Sequence, residues 1–346
     1  MMSAPVSSVV PMSASLSDSF GRSIRYLRLS VTDRCDLRCL YCMAEDMQFL
    51  PKSGVLTIEE LGRVAEAFIR LGVRKIRLTG GEPLVRRGVM DLVQQLGHQV
   101  GSGLDELTLT TNGSQLARHA DALAAAGVRR INVSLDSLDA DLFTRITRGG
   151  RLGDVLLGIA RAKAAGITVK INTVALRGLN DRQFDDLLRW CGEWDLDMTI
   201  IETMPLGEVT GGGRVEHYVP LDVVRRDLQA RWTLVEDTAP HRDANPGPAK
   251  ILRVAETGRR LGFIAPMSGC FCDGCNRVRV SCSGILYPCL GQDQAADLRP
   301  ALRQCESDAT LERTIRAAIA NKPQGHDFVI DGNSPKIRRF MSVTGG

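Results

Sequence analysis

Three cysteines, Cys35, Cys39 and Cys42, lie in the stretch T-D-R-C-D-L-R-C-L-Y-C-M at a spacing C-x3-C-x2-C, close enough for one loop to wrap a single inorganic centre. Three thiolates leave one iron of a four-iron cube without a protein ligand, and that open position is where a small molecule can be bound and given electrons. The spacing therefore points to chemistry as well as to storage of an electron. A structural zinc site would want four ligands grouped in pairs, and the sequence offers no fourth ligand nearby.

A second group lies far along the chain, in F-C-D-G-C-N-R-V-R-V-S-C-S-G-I-L-Y-P-C-L, where Cys272, Cys275 and Cys289 are spaced C-x2-C-x13-C. Spacing alone leaves two readings open here: a second cluster, or a tetrahedral zinc completed by Cys270 or Cys282. Arg277 and Arg279 sit inside the loop these cysteines enclose. Two guanidinium groups beside a metal suggest an anionic ligand, phosphate or carboxylate, although a solvated surface pair is the plainer alternative. Ten cysteines in 346 residues, most of them in two compact groups, read as metal ligands rather than as a disulfide framework, which puts the chain in the reducing cytoplasm.

The elements that must position these groups alternate. Short β-rich runs at 25–31, 74–79, 106–111, 130–135, 168–175 and 198–203 are separated by amphipathic helical stretches. In the first of these, Leu61, Val64, Ala65, Phe68 and Leu71 recur at helical spacing, and Thr57 with Glu60 makes a capping box; Asp181 gives a start signal before Phe184, Leu187, Leu188 and Trp190. Six such alternations imply a parallel sheet with right-handed crossovers, and the economical α/β architecture is an incomplete (βα)6 TIM-like barrel. Polar residues collect where the strands are expected to end: Thr79, Gly80, Gly81 and Glu82; Thr110, Thr111 and Asn112; Ser134 and Asp136; Lys170 and Asn172; Glu202 and Met204. A parallel barrel builds its active site on that rim, and the first cysteine loop, following the first strand, joins it. Any one of these polar residues is explained as well by a turn or a cap; their recurrence is the signal.

Three segments follow from this: a disordered tail over 1–20, a barrel over 21–206, and a smaller C-terminal cluster-binding module over 207–346, with a glycine-rich loop at Gly207 to Arg214, a Pro-containing connector at Ala239 to Ala249 and a hairpin around Thr257-Gly258. Hydrophobic content of 44% is enough for a large core. A net charge of only +4 argues against a general nucleic-acid or membrane surface, so any anion site must be local. Residues 1–20 fit neither a signal nor a transit peptide, and no apolar run is long enough to span a bilayer.

The aromatic Tyr41 just before the last cysteine of C-x3-C-x2-C, with Gly80-Gly81-Glu82-Pro83 one βα unit later, resembles the signature of the radical S-adenosylmethionine superfamily. Adding C-x2-C-x13-C with N-R-x-R inside it and the terminal Gly345-Gly346, the chain from about Gly21 onward closely resembles the GTP 3′,8-cyclase family of molybdenum cofactor biosynthesis. The resemblance implies two 4Fe-4S clusters, one on Cys35, Cys39 and Cys42 and one on Cys272, Cys275 and Cys289, with S-adenosylmethionine at the first and the guanine of GTP at the second. It implies contacts to S-adenosylmethionine from Tyr41, Gly81, Ser134 and Met204. It implies contacts to GTP from Arg28, Arg77, Thr110, Lys170, Arg277 and Arg279, and catalytic roles for Gly345, Gly346, Arg277 and Arg279. It further implies a flavodoxin-type or similar electron donor, a cyclic pyranopterin monophosphate synthase downstream, and a homodimer as the assembly to test for. Where the family is expected to carry an arginine in its sixth strand, this chain has Thr199. Two other readings compete: a peptide-modifying maturase of the same superfamily, which usually needs more cysteines behind the barrel, and a two-cluster electron carrier, which normally saturates each cluster with four cysteines.

Overall fold

The computed structural model describes residues 15–207, 216–238, 247–269, 271–304, 307–326, 328, 337 and 339–345. Its centre is a single sheet of 12 strands in the order β12-β11-β10-β1-β2-β3-β4-β5-β6-β9-β8-β7. The six strands expected from the alternation are β1 (Tyr26–Ser30), β2 (Lys75–Thr79), β3 (Glu106–Thr111), β4 (Arg130–Ser134), β5 (Thr168–Val174) and β6 (Asp197–Ile201), each parallel to the next. Their outward-facing leucines, isoleucines and valines pack under α1 (Ile58–Arg70), α2 (Val89–Gly97), α3 (Leu116–Ala125), α4 (Ala140–Thr147), α5 (Leu152–Ala164) and α6 (Phe184–Glu193) in one continuous core. Burial on that side leaves the opposite faces of the strands to line a lumen.

Local start signals explain some helices and not others. The capping box is formed as expected, with Glu60 N donating to Thr57 Oγ1 at 3.1 Å and Thr57 N donating to Glu60 Oε2 at 2.8 Å. Asp181, expected to start the next-to-last barrel helix, does not cap it: α6 begins at Phe184 after Gln183, with no side-chain cap.

The stretch after Met204 does not form a separate layer. The hairpin of β8 (Lys250–Val254) and β9 (Arg260–Ile264) turns at Thr257-Gly258 as expected, but β9 runs parallel to β6 and so extends the barrel sheet on one edge. The strand β10 (Arg277–Val280) extends it on the other, parallel to β1, followed by antiparallel β11 (Ile285–Tyr287) and β12 (Ala296–Asp297); β7 (Leu234–Glu236) closes the far edge. Among the described residues the later helices are α7 (Leu221–Gln229), α8 (Arg299–Gln304), α9 (Ala309–Ala320) and the short α10 (Met341–Thr344). The expected glycine-rich loop and connector fall mostly outside the described residues. Residues 15–20, expected to belong to a disordered lead-in, are folded: Leu16 is 2% exposed, Ile24 N donates to its carbonyl at 2.7 Å, and Ser17 bridges Ser23.

Candidate active site

The two cysteine groups lie at opposite ends of the lumen. Cys35, Cys39 and Cys42 follow the carboxyl end of β1, whereas Cys275 precedes the amino end of β10, and β1 and β10 are parallel neighbours with Arg28 opposite Arg279. A five-residue strand spans roughly 15 Å, so the two arginines sit about midway.

The first cysteine loop is held from three sides. Gly81 N donates to Thr32 O at 2.9 Å and Glu82 N to Arg34 O at 2.8 Å, and a Cβ on Gly81 would overlap the Arg34 carbonyl, so only glycine lets β2's exit lie this close to the loop. The Tyr41 hydroxyl donates to Asp136 Oδ2 at 2.8 Å, whose other oxygen accepts from Val174 N at 2.8 Å, fastening the loop across to the ends of β4 and β5. Asn112 Nδ2 reaches Cys35 Sγ at 3.6 Å and Asp36 Oδ1 at 2.8 Å. Glu82 is fully buried and accepts from Leu84 N, Thr111 Oγ1 and Asn112 N; burial, against those donors, pushes its carboxyl up to about 7. Burial likewise pushes the Cys35 thiol up to about 12 and the Cys39 thiol well above its ordinary range, with the neighbouring Cys42 adding to the effect on Cys39. Ser134 closes β4 on the same rim.

At the other end Cys272, Cys275 and Cys289 border one cavity of about 1020 Å³ that runs into the lumen. Here the surroundings are cationic. Although burial pushes the Cys275 thiol up, Arg277 and Lys322 more than offset it and hold it below its ordinary value. Arg28, Arg77, Lys170, Arg277, Arg279 and Met204 all line this cavity. Among the described residues no three His, Cys, Asp or Glu side chains sit at the spacing of one mononuclear ion. The donor chemistry of both sets, three free thiols with no fourth beside them among the described residues, fits a four-iron cube with one open corner. Cys282 does not complete the second set: it follows the carboxyl end of β10, its carbonyl accepting from Leu56 N at 2.8 Å and its thiol facing Ser30 and Asp33, with burial pushing that thiol up to about 12. Cys270 lies outside the described residues.

Arg77 is the middle residue of β2 and Lys170, expected at a strand end, the third of β5, so both cations point into the lumen from the strands themselves. Arg77 Nε and Thr110 Oγ1 are buried without a hydrogen-bond partner among the described residues, as donors awaiting a ligand would be. Thr110 sits opposite Asn132 in register and does not border the large cavity. The tail enters the same space: α10 is followed by Gly345, whose carbonyl accepts from Arg279 Nη1, while Gly346 is outside the described residues. Arg339 anchors that tail, donating to Leu290 O and Gln292 O at 2.6 Å each and to Asp293 Oδ1 at 2.9 Å. The neighbouring basic residues Lys336 and Arg338 are outside the described residues.

Residues 29–191 match the Radical SAM superfamily and residues 196–328 match Molybdenum Cofactor Synthesis C. The chain is 58% identical over 331 residues to GTP 3′,8-cyclase of Rhizobium etli (strain CIAT 652), covering 95% of this chain and 94% of that protein. The chain belongs to the GTP 3′,8-cyclase family. It is also 55% identical over 349 residues to the enzyme of that name from Rhodopseudomonas palustris (strain TIE-1), covering both in full. In fold it is similar to Streptococcus suis SuiB bound to S-adenosylmethionine, with a TM-score of 0.60 at 19% identity over 92% of this chain and 77% of that one. As a radical S-adenosylmethionine enzyme the chain uses four-iron clusters and S-adenosylmethionine.

Within this GTP 3′,8-cyclase family member, several lining residues escape a reading by motif. Lys75 is 1% exposed, pairs with Glu106 at 2.8 Å and lies 5.0 Å from the Tyr26 ring, and both Lys75 and Tyr26 border the cavity. Period-two alternation would have found them, because Lys75 precedes Arg77, and Tyr26 precedes Arg28, by two residues in one strand. Thr199 is fully buried opposite Gly262, where a Cβ would come within 2.8 Å of its hydroxyl; Arg259 and Arg260 line the cavity on that side instead.

Proposed function

We propose that this enzyme converts GTP to (8S)-3′,8-cyclo-7,8-dihydroguanosine 5′-triphosphate, the opening step of molybdenum cofactor biosynthesis, with GTP lying along the lumen between the two cysteine sets. The observation that carries this reading is the cation-lined cavity joining Cys272, Cys275 and Cys289 to the barrel interior. A near-neutral chain that must hold three phosphates has to concentrate its cations, and Arg28 of β1, Lys75 and Arg77 of β2 and Lys170 of β5 line one cavity.

In this reading Cys35, Cys39 and Cys42 hold the first cluster and Cys272, Cys275 and Cys289 the second. When bound, the first cluster with S-adenosylmethionine supplies the 5′-deoxyadenosyl radical that takes hydrogen from the ribose C3′. The chain's own residues do the positioning. Tyr41, clamped by Asp136, with Gly81, Ser134 and Met204, shapes the S-adenosylmethionine subsite. Arg77, Lys75 and Lys170 fix the triphosphate, so that the sugar is presented to the rim in one orientation. Thr110 is the one expected GTP contact that does not border this cavity. Arg277 and Arg279 flank the base near the second cluster, and Arg279 also holds the Gly345 carbonyl, bringing Gly345 toward the reacting sugar. A flavodoxin-type or similar donor supplies electrons, a cyclic pyranopterin monophosphate synthase consumes the product, and the enzyme works in the cytoplasm; a homodimer is the assembly to test for. Among the described residues no helix is long and apolar enough to cross a membrane.

The test is anaerobic reconstitution with iron and sulfide, then incubation with GTP, S-adenosylmethionine and dithionite. The expected result is a cyclised nucleotide that forms only with GTP, together with 5′-deoxyadenosine in excess of its uncoupled level without GTP. Formation of 5′-deoxyadenosine with GTP returned unchanged would overturn the reading.

A further inference from the structure

Lys322 stands just beyond the end of α9, its backbone N–H donating to Ile319 O at 2.9 Å, and its side chain is only 2% exposed. The ammonium uses all three of its donors. Nζ donates to Pro288 O at 2.6 Å, to Arg277 O at 3.1 Å and to Cys275 Sγ at 3.6 Å. Pro288 immediately precedes Cys289, and Arg277 follows Cys275 by two, so one side chain ties together the two segments that carry these cysteines.

The partners are two neutral carbonyls and one sulfur, with no carboxylate among them. Burying a full positive charge against such acceptors is costly unless a negative charge completes the site. A neighbouring cation shows what the ordinary solution looks like. Arg22 also stitches this region, donating to Cys272 O at 2.8 Å, Pro323 O at 2.6 Å and Gln324 O at 2.7 Å, but its charge is met by the Asp18 carboxylate at 2.6 Å. Arg22 therefore closes the loop without leaving a net field there, and Lys322 leaves one directed at a thiol. Three thiolates around an iron cube supply the negative charge this geometry lacks. A cation donating to a ligand sulfur stabilises the more negative, reduced form of such a centre, and so raises its potential.

We propose that Lys322 is the positioning residue of the second cysteine set, bridging the Cys275 and Cys289 segments and, through its charge, raising the reduction potential of the cluster they hold. The proposal rests on the reading of Cys272, Cys275 and Cys289 as cluster ligands.

The experiment is an EPR-monitored redox titration of the anaerobically reconstituted full chain. Cys289→Ala first identifies which of two reduction waves belongs to the second cluster; a single wave that this variant leaves untouched would remove the cluster reading itself, independently of Lys322. Lys322→Met removes charge and hydrogen bonds together. Lys322→Gln keeps donors for the two carbonyls but removes the charge, and guards against a Met variant that fails to assemble. In Lys322→Gln, and in Lys322→Met if it assembles, the expected result is normal iron content, an unmoved first wave and a second wave shifted to lower potential. A second wave at its wild-type position in an assembled variant, an equal shift of both waves, or loss of the second wave in both variants overturns the proposal.

Discussion

The guanidinium of Arg279 donates through Nη1 to the carbonyl oxygen of Gly345, joining the strand beside the second cysteine set to the end of the chain. Gly345 is held at φ +77°, and a Cβ there would overlap Thr79 Oγ1 at the end of β2 and lie 2.8 Å from Thr79 Cβ. Both conditions demand glycine. Gly345→Ala is expected to displace the tail, since strain of ~1–3 kcal/mol is relieved only by moving it, and to slow GTP cyclisation about ten- to a hundredfold. Iron content and uncoupled cleavage of S-adenosylmethionine should stay near wild type. Rates of cyclised product and of 5′-deoxyadenosine, measured side by side, check this; a full cyclisation rate would reduce the terminus to a loose end.

Placing the two cysteine sets at opposite ends of the lumen makes their functions separable by mutation. Cys39→Ser substitutes a hard hydroxyl for a thiolate and is expected to abolish reductive cleavage of S-adenosylmethionine. Cys289→Ser should leave measurable cleavage while GTP binding and cyclisation fail. The decisive comparison is 5′-deoxyadenosine production by the two proteins after iron analysis, and equal loss in both would contradict a division of labour.

Much of this arrangement was legible in the sequence because its signals are local. Short β-rich runs gave the six barrel strands to within a residue or two, since the outward face of each must be apolar to pack under the helices. The cysteine spacings marked both loops, whereas the closeness of Gly81 to the Arg34 carbonyl is visible only in the fold. What stayed hidden was long-range. Nothing near Phe263 or Val278 says that β9 and β10 of the C-terminal part dock on opposite edges of the barrel sheet, parallel to β6 and β1. Lys170 reads at the wrong depth, because a charged residue in mid-strand looks like a strand end until its partners across the lumen are known. Lys322, with no motif around it, becomes visible only when Pro288, Arg277 and Cys275 are brought to it.

The fold of residues 15–24 gives a stability prediction. Asp18 and Arg22 form an ion pair at 2.6 Å with side chains 0% and 8% exposed, and Asp18 Oδ1 also accepts from Phe20 N and Arg22 N at 2.9 Å each. Arg22→Met leaves that carboxylate buried without its cation and strips three carbonyls around Cys272 of their donor. Breaking a buried pair in this way costs about 3–5 kcal/mol, which should appear as a lower urea midpoint with an unchanged slope. A midpoint within error of wild type would mean that the amino-terminal segment is dispensable to the fold.

Lys170 carries the pH dependence. Burial, with the nearby Arg77 and Arg130 cations, lowers its pKa to about 8, and Asp197 opposes this only in part. The free enzyme therefore keeps this cation below pH 8 and loses it as pH rises through that value, so kcat/KM for GTP, which reports on the free enzyme, should fall on the alkaline side of about pH 8. A charge-assisted contact of ~1.5–3 kcal/mol corresponds to a fall of about ten- to a hundredfold. Bound triphosphate pulls the same pKa upward by favouring the charged form, so kcat at saturating GTP should hold to higher pH than kcat/KM. Lys170→Arg retains its charge throughout and is expected to flatten the alkaline limb, even if its larger head group weakens binding at every pH. An alkaline limb of equal steepness and midpoint in Lys170→Arg would assign the titration to a different group and take Lys170 out of the triphosphate site.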